Sequence, residues 1–373
     1  MNWELNRANT LCVFLCGDVM TGRGIDQALP HPSDPTLFEL CAQDARDYVQ
    51  LAERANGPFI RPVGFKYIWG DALAQLSQAA TDARIINLET SITQSNDCWP
   101  DKGIHYRMHP HNVGCLTAAR IDACSLANNH VLDWGRAGLV ETLDSLDRAG
   151  VKRAGAGRNA EEASAPAIMN VPGKGRVLLF AFGSATSGVF PTWAATQTKA
   201  GVNVLEKLSE TAAIHVVSEM RRFKQSGDVV IASIHWGGNW GYEIPREQIL
   251  FAHRLIEGGF DIIHGHSSHH VKGIEVFKER LILYGCGDFI TDYEGISGYE
   301  EFRGDLSLMY LVTVDVQGRL MATRLVPMQT RQFQLHRASN SESAWLCALL
   351  NQLGTQFGTR VELADDNTLN LIC

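Results

Sequence analysis

Short apolar runs recur along the chain, each closed by a polar break and followed by a longer stretch with apolar residues every three or four positions. The runs at 11–17, 84–88, 122–126, 176–183, 228–234, 260–264 and 280–284 read as buried strands. The segments 37–54, 71–79, 137–149, 205–225 and 245–258 carry the helical period. Pro245 at the start of the last of these and Gly258-Gly259 at its end fit the usual placement of the two helix-breaking residues. Alternation of this kind predicts helices packed on a largely parallel or mixed sheet. From about residue 306 the rhythm changes. Runs at 306–316, 319–328 and 331–336, with a Gln317-Gly318 turn, read as consecutive antiparallel strands. A helix at 341–353 and a short strand near 369–372 close the chain. The expected organisation is one α/β domain over 1–305 and a β-rich extension over 306–373 packed on the same fold.

The strand ends carry the chemistry. Gly17-Asp18 follows the first run and Asn87-Leu88-Glu89 ends the second. Ala127-Asn128-Asn129-His130 follows the third, and His235-Trp236-Gly237 ends a later one. His264, His266, His269 and His270 crowd the end of another. Ligands of open α/β sheets bind outside the carboxyl ends of the strands. Carboxylate, amide and imidazole are the ligand types of zinc, manganese and iron. Taken singly, Asp18 and Glu89 could be caps, Asn129 a turn residue, and His130 and His235 satisfied core histidines. Together, with four histidines in the seven residues 264–270, they predict one shared polar site of metal type.

Composition narrows the partners. The 373 residues are 45% hydrophobic and 20% charged, with a net charge of −8. An acidic surface repels nucleic acid and anionic membrane, so neither is expected as a partner. The nine cysteines include no CxxC pair. That argues for free thiols in a reducing compartment. The apolar run at 10–17 is too short for a leader or a membrane span, and it reads as a first strand. A cytoplasmic protein without an integral membrane segment is the expectation.

Gly17-Asp18-Val19-Met20, Asn87-Leu88-Glu89-Thr90-Ser91, Ala127-Asn128-Asn129-His130-Val131-Leu132-Asp133, Gly155-Ala156-Gly157 with Glu162-Ala163, and Ser233-Ile234-His235-Trp236-Gly237 resemble the motifs of the CapA-like proteins. That family is named for poly-γ-glutamate capsule synthesis. Gly265-His266 with His269, then Tyr284-Gly285-Cys286-Gly287-Asp288-Phe289, continue the match over roughly 10–295. The resemblance extends to the calcineurin-like metallophosphoesterases and implies a four-layer α/β/β/α sandwich with one or two divalent ions, Mn, Zn or Fe. It further implies Asp18, Glu89, Asn129, His235, His266 and His269 as metal ligands. Asp18 would match the first metal-binding aspartate, Glu89 the metal-bridging one, and His130 the substrate-polarising acid or base. Met20 stands where the superfamily's Asp-x-His motif has its histidine, so the implied centre is one ligand short.

If a metal binds, it lowers the pKa of a bound water, and His130 or His269 can move the proton, with Asp18 and Glu89 completing the catalytic set. Asp133, Asp288 and Ser233 are candidates to orient the rings. Arg23, Asn129 and Trp236 are candidate substrate contacts, as are Lys102, His105 and Arg107 in their loop. Trp69, Trp99, Trp134, Trp240 and Tyr242 are candidate cleft walls. The leading expectation is a metal-dependent hydrolase acting on a peptide-like (polyglutamate-type) or phosphorylated anion. Two alternatives stay open: a non-catalytic accessory that binds polyglutamate or its synthesis complex, and a metal-independent epimerase or isomerase using an Asp, Glu or His base.

Overall fold

The computed structural model describes residues 9–372. The readings that touch the first eight residues and Cys373 lie outside them. The protein is a mixed α/β structure whose strands form two large sheets.

The first sheet runs Asp288–Ile290, Asp18–Val19, Ala83–Leu88, Thr10–Leu15, Leu306–Asp315, Leu320–Arg331, Leu369–Ile372 and Arg360–Leu363, with Ala123–Ser125 and then Lys152–Ala154 continuing from Ala83–Leu88. The second runs Val204–Leu205, Gly175–Ser184, Asp228–His235, Ile262–His266, Arg280–Leu283 and Ile274–Phe277. Its central strands pair in parallel and are buried on both faces, which is why their sequences are apolar without alternation. The two-residue period of a strand still sorts them. Val177, Leu179 and Ala181 join the core shared with the first sheet. Leu178, Phe180 and Phe182 meet Val216, Met220, Phe251 and Leu255 of the helices Glu210–Arg221 and Arg246–Gly258.

Register sets the site. In the second sheet Ser233 pairs with His264 and His235 with His266. In the first, Asp288 pairs with Asp18, Asp18 with Asn87, and Asn87 with Ser125. The chain crosses from the second sheet to the first between Leu283 and Asp288. There Gly17 packs against the Gly287 backbone: a Cβ at Gly17 would lie 1.6 Å from the Gly287 carbonyl oxygen. The Asp18 N–H donates to the same oxygen at 2.9 Å. Glycine permits this approach, and it brings the two rows of strand ends together.

Several elements differ from the sequence expectation. Only Arg46–Asn56 of the expected 37–54 helix is helical. The preceding residues fold back, with Leu37 N–H bonded to the Gln43 carbonyl, and carry Glu39 inward onto Arg23 while Leu40 is fully exposed. A buried charge pair outweighs the helical period there. The 205–225 helix begins later, at Glu210, where the Ser209 hydroxyl accepts from the Ala212 N–H, because Val204–Leu205 pairs with Gly183-Ser184 as a strand. The strand expected at 260–264 occupies Ile262–His266, its register fixed by the neighbouring Asp228–His235. Leu306–Asp315 is the antiparallel neighbour of Thr10–Leu15, inside the first sheet. Cys16, Cys41, Cys98, Cys115, Cys124, Cys286 and Cys347 form no disulfide. Among the described residues no helix is long and apolar enough to cross a membrane.

Candidate metal centre

Where the sheets meet, Asp18, Glu89, His235, His266 and Asp288 converge, all buried. The ligand atoms of Asp18, His235 and His266 lie within 4.8 Å of one another, as do those of Asp18, Glu89 and Asp288. Asp18 belongs to both groups. Metal–ligand bonds of about 2.0–2.2 Å hold ligand atoms about that close together.

The histidine tautomers follow from the hydrogen-bond network. His264 Nε2 lies 2.7 Å from the Cys16 carbonyl, which can only accept, so that nitrogen carries the proton. Burial pushes the His264 pKa down to about 4, leaving its Nδ1 a bare acceptor at neutral pH. Ser233 Oγ, 3.1 Å away, therefore donates its one proton to His264 Nδ1. It must then accept from His266 Nε2–H at 2.8 Å. His266 Nδ1 is left with a lone pair, 3.6 Å from Asp18 Oδ1 and 2.8 Å from His235 Nδ1. A hydrogen bond to the ring nitrogen that faces away from the metal is how proteins fix the tautomer of a ligating imidazole. His235 Nε2 lies 3.0 Å from the Asn129 amide oxygen and 3.6 Å from Glu89 Oε1; with its proton there, donated to Asn129, His235 Nδ1 is bare as well and faces His266 Nδ1. Two imidazole lone pairs turned toward one another beside the Asp18 carboxylate favour a cation between them.

The carboxylates agree. Asn87 Nδ2 donates to Asp18 Oδ1 at 2.7 Å, and Ser267 N–H to Oδ2 at 3.2 Å. Even so, burial and the nearby Asp288 push the Asp18 pKa up to about 7. Burial, then Asp18 and Asp288, raise Glu89 well above the usual carboxylate range. Burial holds His235 and His266 well below the usual imidazole range, hence neutral. Three acidic groups and two neutral imidazoles in a dry site are a donor set that a divalent ion would satisfy.

A matched family model, described as bacterial capsule synthesis protein PGA_cap, covers residues 12–293. The chain belongs to this family. It is 43% identical over 366 residues, 98% of this chain and 96% of the relative, to a probable polyglutamine synthesis accessory protein of Mycobacterium tuberculosis. It is 28% identical over 282 residues, 76% of this chain and 60% of the relative, to capsule biosynthesis protein CapA of Bacillus anthracis. Against the PGA biosynthesis protein CapA of Bacillus subtilis the identity is 24% over 330 residues, 84% and 71% of the two chains.

Within this PGA_cap chain the remaining candidates sort by position. His130 Nε2 faces Glu89 Oε1 at 4.0 Å, while its Nδ1 is held by Asp133 Oδ2 at 2.7 Å. Lys102 Nζ lies 3.0 Å from the same Nδ1 and is bonded to Asp133. Burial, reinforced by the Lys102 charge, holds His130 well below its ordinary pKa. His269 is in neither ligand group; its Nδ1 bonds both oxygens of Asp288, at 3.0 and 3.1 Å. Burial works to lower its pKa, but Asp288 outweighs this and raises it. Met20 is buried, and its sulfur accepts from the Gly22 N–H at 3.1 Å. Arg23 is buried between Asp292 and Glu39, so its charge is already answered. Trp236 packs in the core against the helices and donates to the Tyr284 carbonyl. Asp288, read from sequence only as an orienting group, stands in a ligand group. Its signal was present: Gly287-Asp288 repeats the Gly17-Asp18 pattern. Tyr106 and Tyr293 were not singled out, and nothing local in the sequence marks them.

Proposed function

We propose that the chain is a divalent-metal-dependent hydrolase acting on an anionic substrate, either peptide-like of the polyglutamate type or phosphorylated. The observation that carries this is the donor set of Asp18, Glu89, Asp288, His235 and His266, with a bare imidazole nitrogen of His130 beside it. Mn, Fe or Zn would suit its mixed nitrogen and oxygen donors. Such an ion lowers the pKa of a bound water and polarises the attacked group.

The chain's own residues do the rest. Asn129 keeps its amide oxygen on His235 at the edge of the site. Asp133 anchors His130 Nδ1, so that Nε2 takes or gives the proton of the reacting group. His269, whose pKa the bonded Asp288 raises, is a proton donor for a leaving group on the other side. The half-buried Asn129, Lys102 and His269 mark the side from which substrate enters. The name of the mycobacterial relative, a polyglutamine synthesis accessory protein, favours a second reading, an accessory that binds a polyglutamyl chain without turning it over. We further propose a reducing, cytoplasmic location, in keeping with the free thiols of Cys16, Cys41, Cys98, Cys115, Cys124, Cys286 and Cys347.

Elemental analysis of the purified protein, followed by a screen of phosphoesters and γ-glutamyl peptides with and without Mn²⁺, tests this. Bound metal and turnover abolished by chelator are expected. Bound metal without turnover would favour the accessory. Turnover that survives a strong chelator would overturn the metal hydrolase in favour of proton-transfer chemistry.

A further inference from the structure

Two phenols face each other beside the metal centre. Tyr106 and Tyr293 place their hydroxyl oxygens 2.5 Å apart, and among the described residues neither has another hydrogen-bond partner. The Tyr106 ring stacks on His130 at 3.8 Å, with 21° between planes. The Tyr293 ring meets His269 edge-on at 5.3 Å. The hydroxyl pair therefore bridges the two histidines read above as proton carriers.

The pair is held from behind. The Arg23 guanidinium lies 4.7 Å from the Tyr106 ring centre and 5.6 Å from that of Tyr293. Asp292 and Glu39 fix Arg23 in turn, with contacts of 2.5 to 3.2 Å. Arg23 adopts a left-handed backbone, φ 43°, to reach this position. A strained, buried arginine with two carboxylates is a costly support for these two rings and for Tyr48, over which it also lies, at 3.8 Å.

Two phenols carry two protons, and one hydrogen bond between them uses one. The other proton has no acceptor among the described residues. A buried donor without a partner is unfavourable until a group with lone pairs arrives. An anion that enters this buried site gives up its water, so it needs a donor here. Lys102 Nζ, beside His130, adds the positive charge.

We propose that the Tyr106–Tyr293 hydroxyl pair is an oxyanion-binding element that donates a hydrogen bond to a carboxylate or phosphate oxygen of the substrate. This rests on the metal-centre reading above. Because the hydroxyls share one bond, they act as a unit, and removing both should cost about as much as removing either.

The test uses Tyr106→Phe, Tyr293→Phe and the double variant, which keep both rings. Binding of Mn²⁺, then of inorganic phosphate or γ-glutamylglutamate to the Mn²⁺-loaded full chain, is measured by calorimetry, with thermal unfolding alongside. We expect unchanged Mn²⁺ affinity and anion binding weakened at least about tenfold, as for a hydrogen bond to a charged group. The arm that weakens, phosphate or peptide, identifies the source of the oxyanion. Variants that bind both anions like wild type would overturn the inference alone. So would variants whose anion and Mn²⁺ affinities fall together with thermal stability, since that marks a structural role. Failure of the wild-type protein to bind Mn²⁺ would overturn the metal-centre reading and this inference with it.

Discussion

Ser233→Ala is the most direct probe of the centre, because it leaves every candidate ligand in place. It removes an acceptor 2.8 Å from His266 Nε2 and a donor 3.1 Å from His264 Nδ1, in a site with no exposure. An unpaired buried N–H costs about 1–3 kcal/mol. His266 can escape that cost by moving its proton to Nδ1, where Asp18 Oδ1 and His235 Nδ1 lie at 3.6 and 2.8 Å. Folding stability is then largely spared, but the nitrogen that faces the site is protonated. A metal must reverse the tautomer and restore the unpaired N–H. Loss of an outer-shell partner of this kind typically weakens metal binding about 10–100-fold, or about 1.4–2.7 kcal/mol. Calorimetric titration with Mn²⁺ reads this directly. Ser343→Ala is the control, since that buried hydroxyl has no partner; its metal affinity should match wild type. If Ser233→Ala binds Mn²⁺ within about twofold of wild type, the proton chain from the Cys16 carbonyl does not set His266, and the tautomer argument is wrong.

His130→Ala should keep most of the bound metal while lowering turnover about 10²–10⁴-fold, the usual share of a general acid or base; equal loss of metal would contradict that assignment. Mn²⁺ affinity should rise with pH. The Asp18 carboxyl, with its pKa raised to about 7, holds a competing proton below that pH, whereas His235 and His266 are already neutral. Asp18 alone gives a gain of roughly tenfold between about pH 6 and pH 8, and a flat profile would refute its place as a ligand. Gly17→Ala would set a Cβ 1.6 Å from the Gly287 carbonyl oxygen, which is backbone and cannot swing aside. A loss of about 3 kcal/mol or more in denaturant unfolding is expected, and wild-type stability would show that the contact is not as close as described.

The legible part of the site was what strand ends encode. Asp18, Glu89, Asn129, His130, His235 and His266 each follow an apolar run, and parallel register brings such ends together. The supporting parts were hidden because they depend on contacts between distant loops. Glu39 lies in a segment with a helical period that the structure spends on reaching Arg23. Tyr106 and Tyr293 meet across half the chain, and no local pattern announces the pair. Arg23 and Trp236 carried the right residue types for a cleft, but the sequence could not show that carboxylates and a backbone carbonyl already engage them. The strands of both sheets were readable from their apolar runs, while the ends of helices shifted wherever a neighbouring strand or buried charge claimed the residues.

The place of Leu306–Asp315 beside Thr10–Leu15 bears on how the chain comes into being. During synthesis the first strand emerges early and can pair on one edge with Ala83–Leu88. Its other edge waits until the partner, Leu306–Asp315, has been translated. At about 5–20 residues per second that wait is on the order of tens of seconds. Throughout it, an apolar strand bearing Asp18 at its exit offers unpaired backbone groups to any passing chain. Truncated products that end before Leu306 should therefore aggregate at the ribosome even though every residue of the candidate centre has already been made.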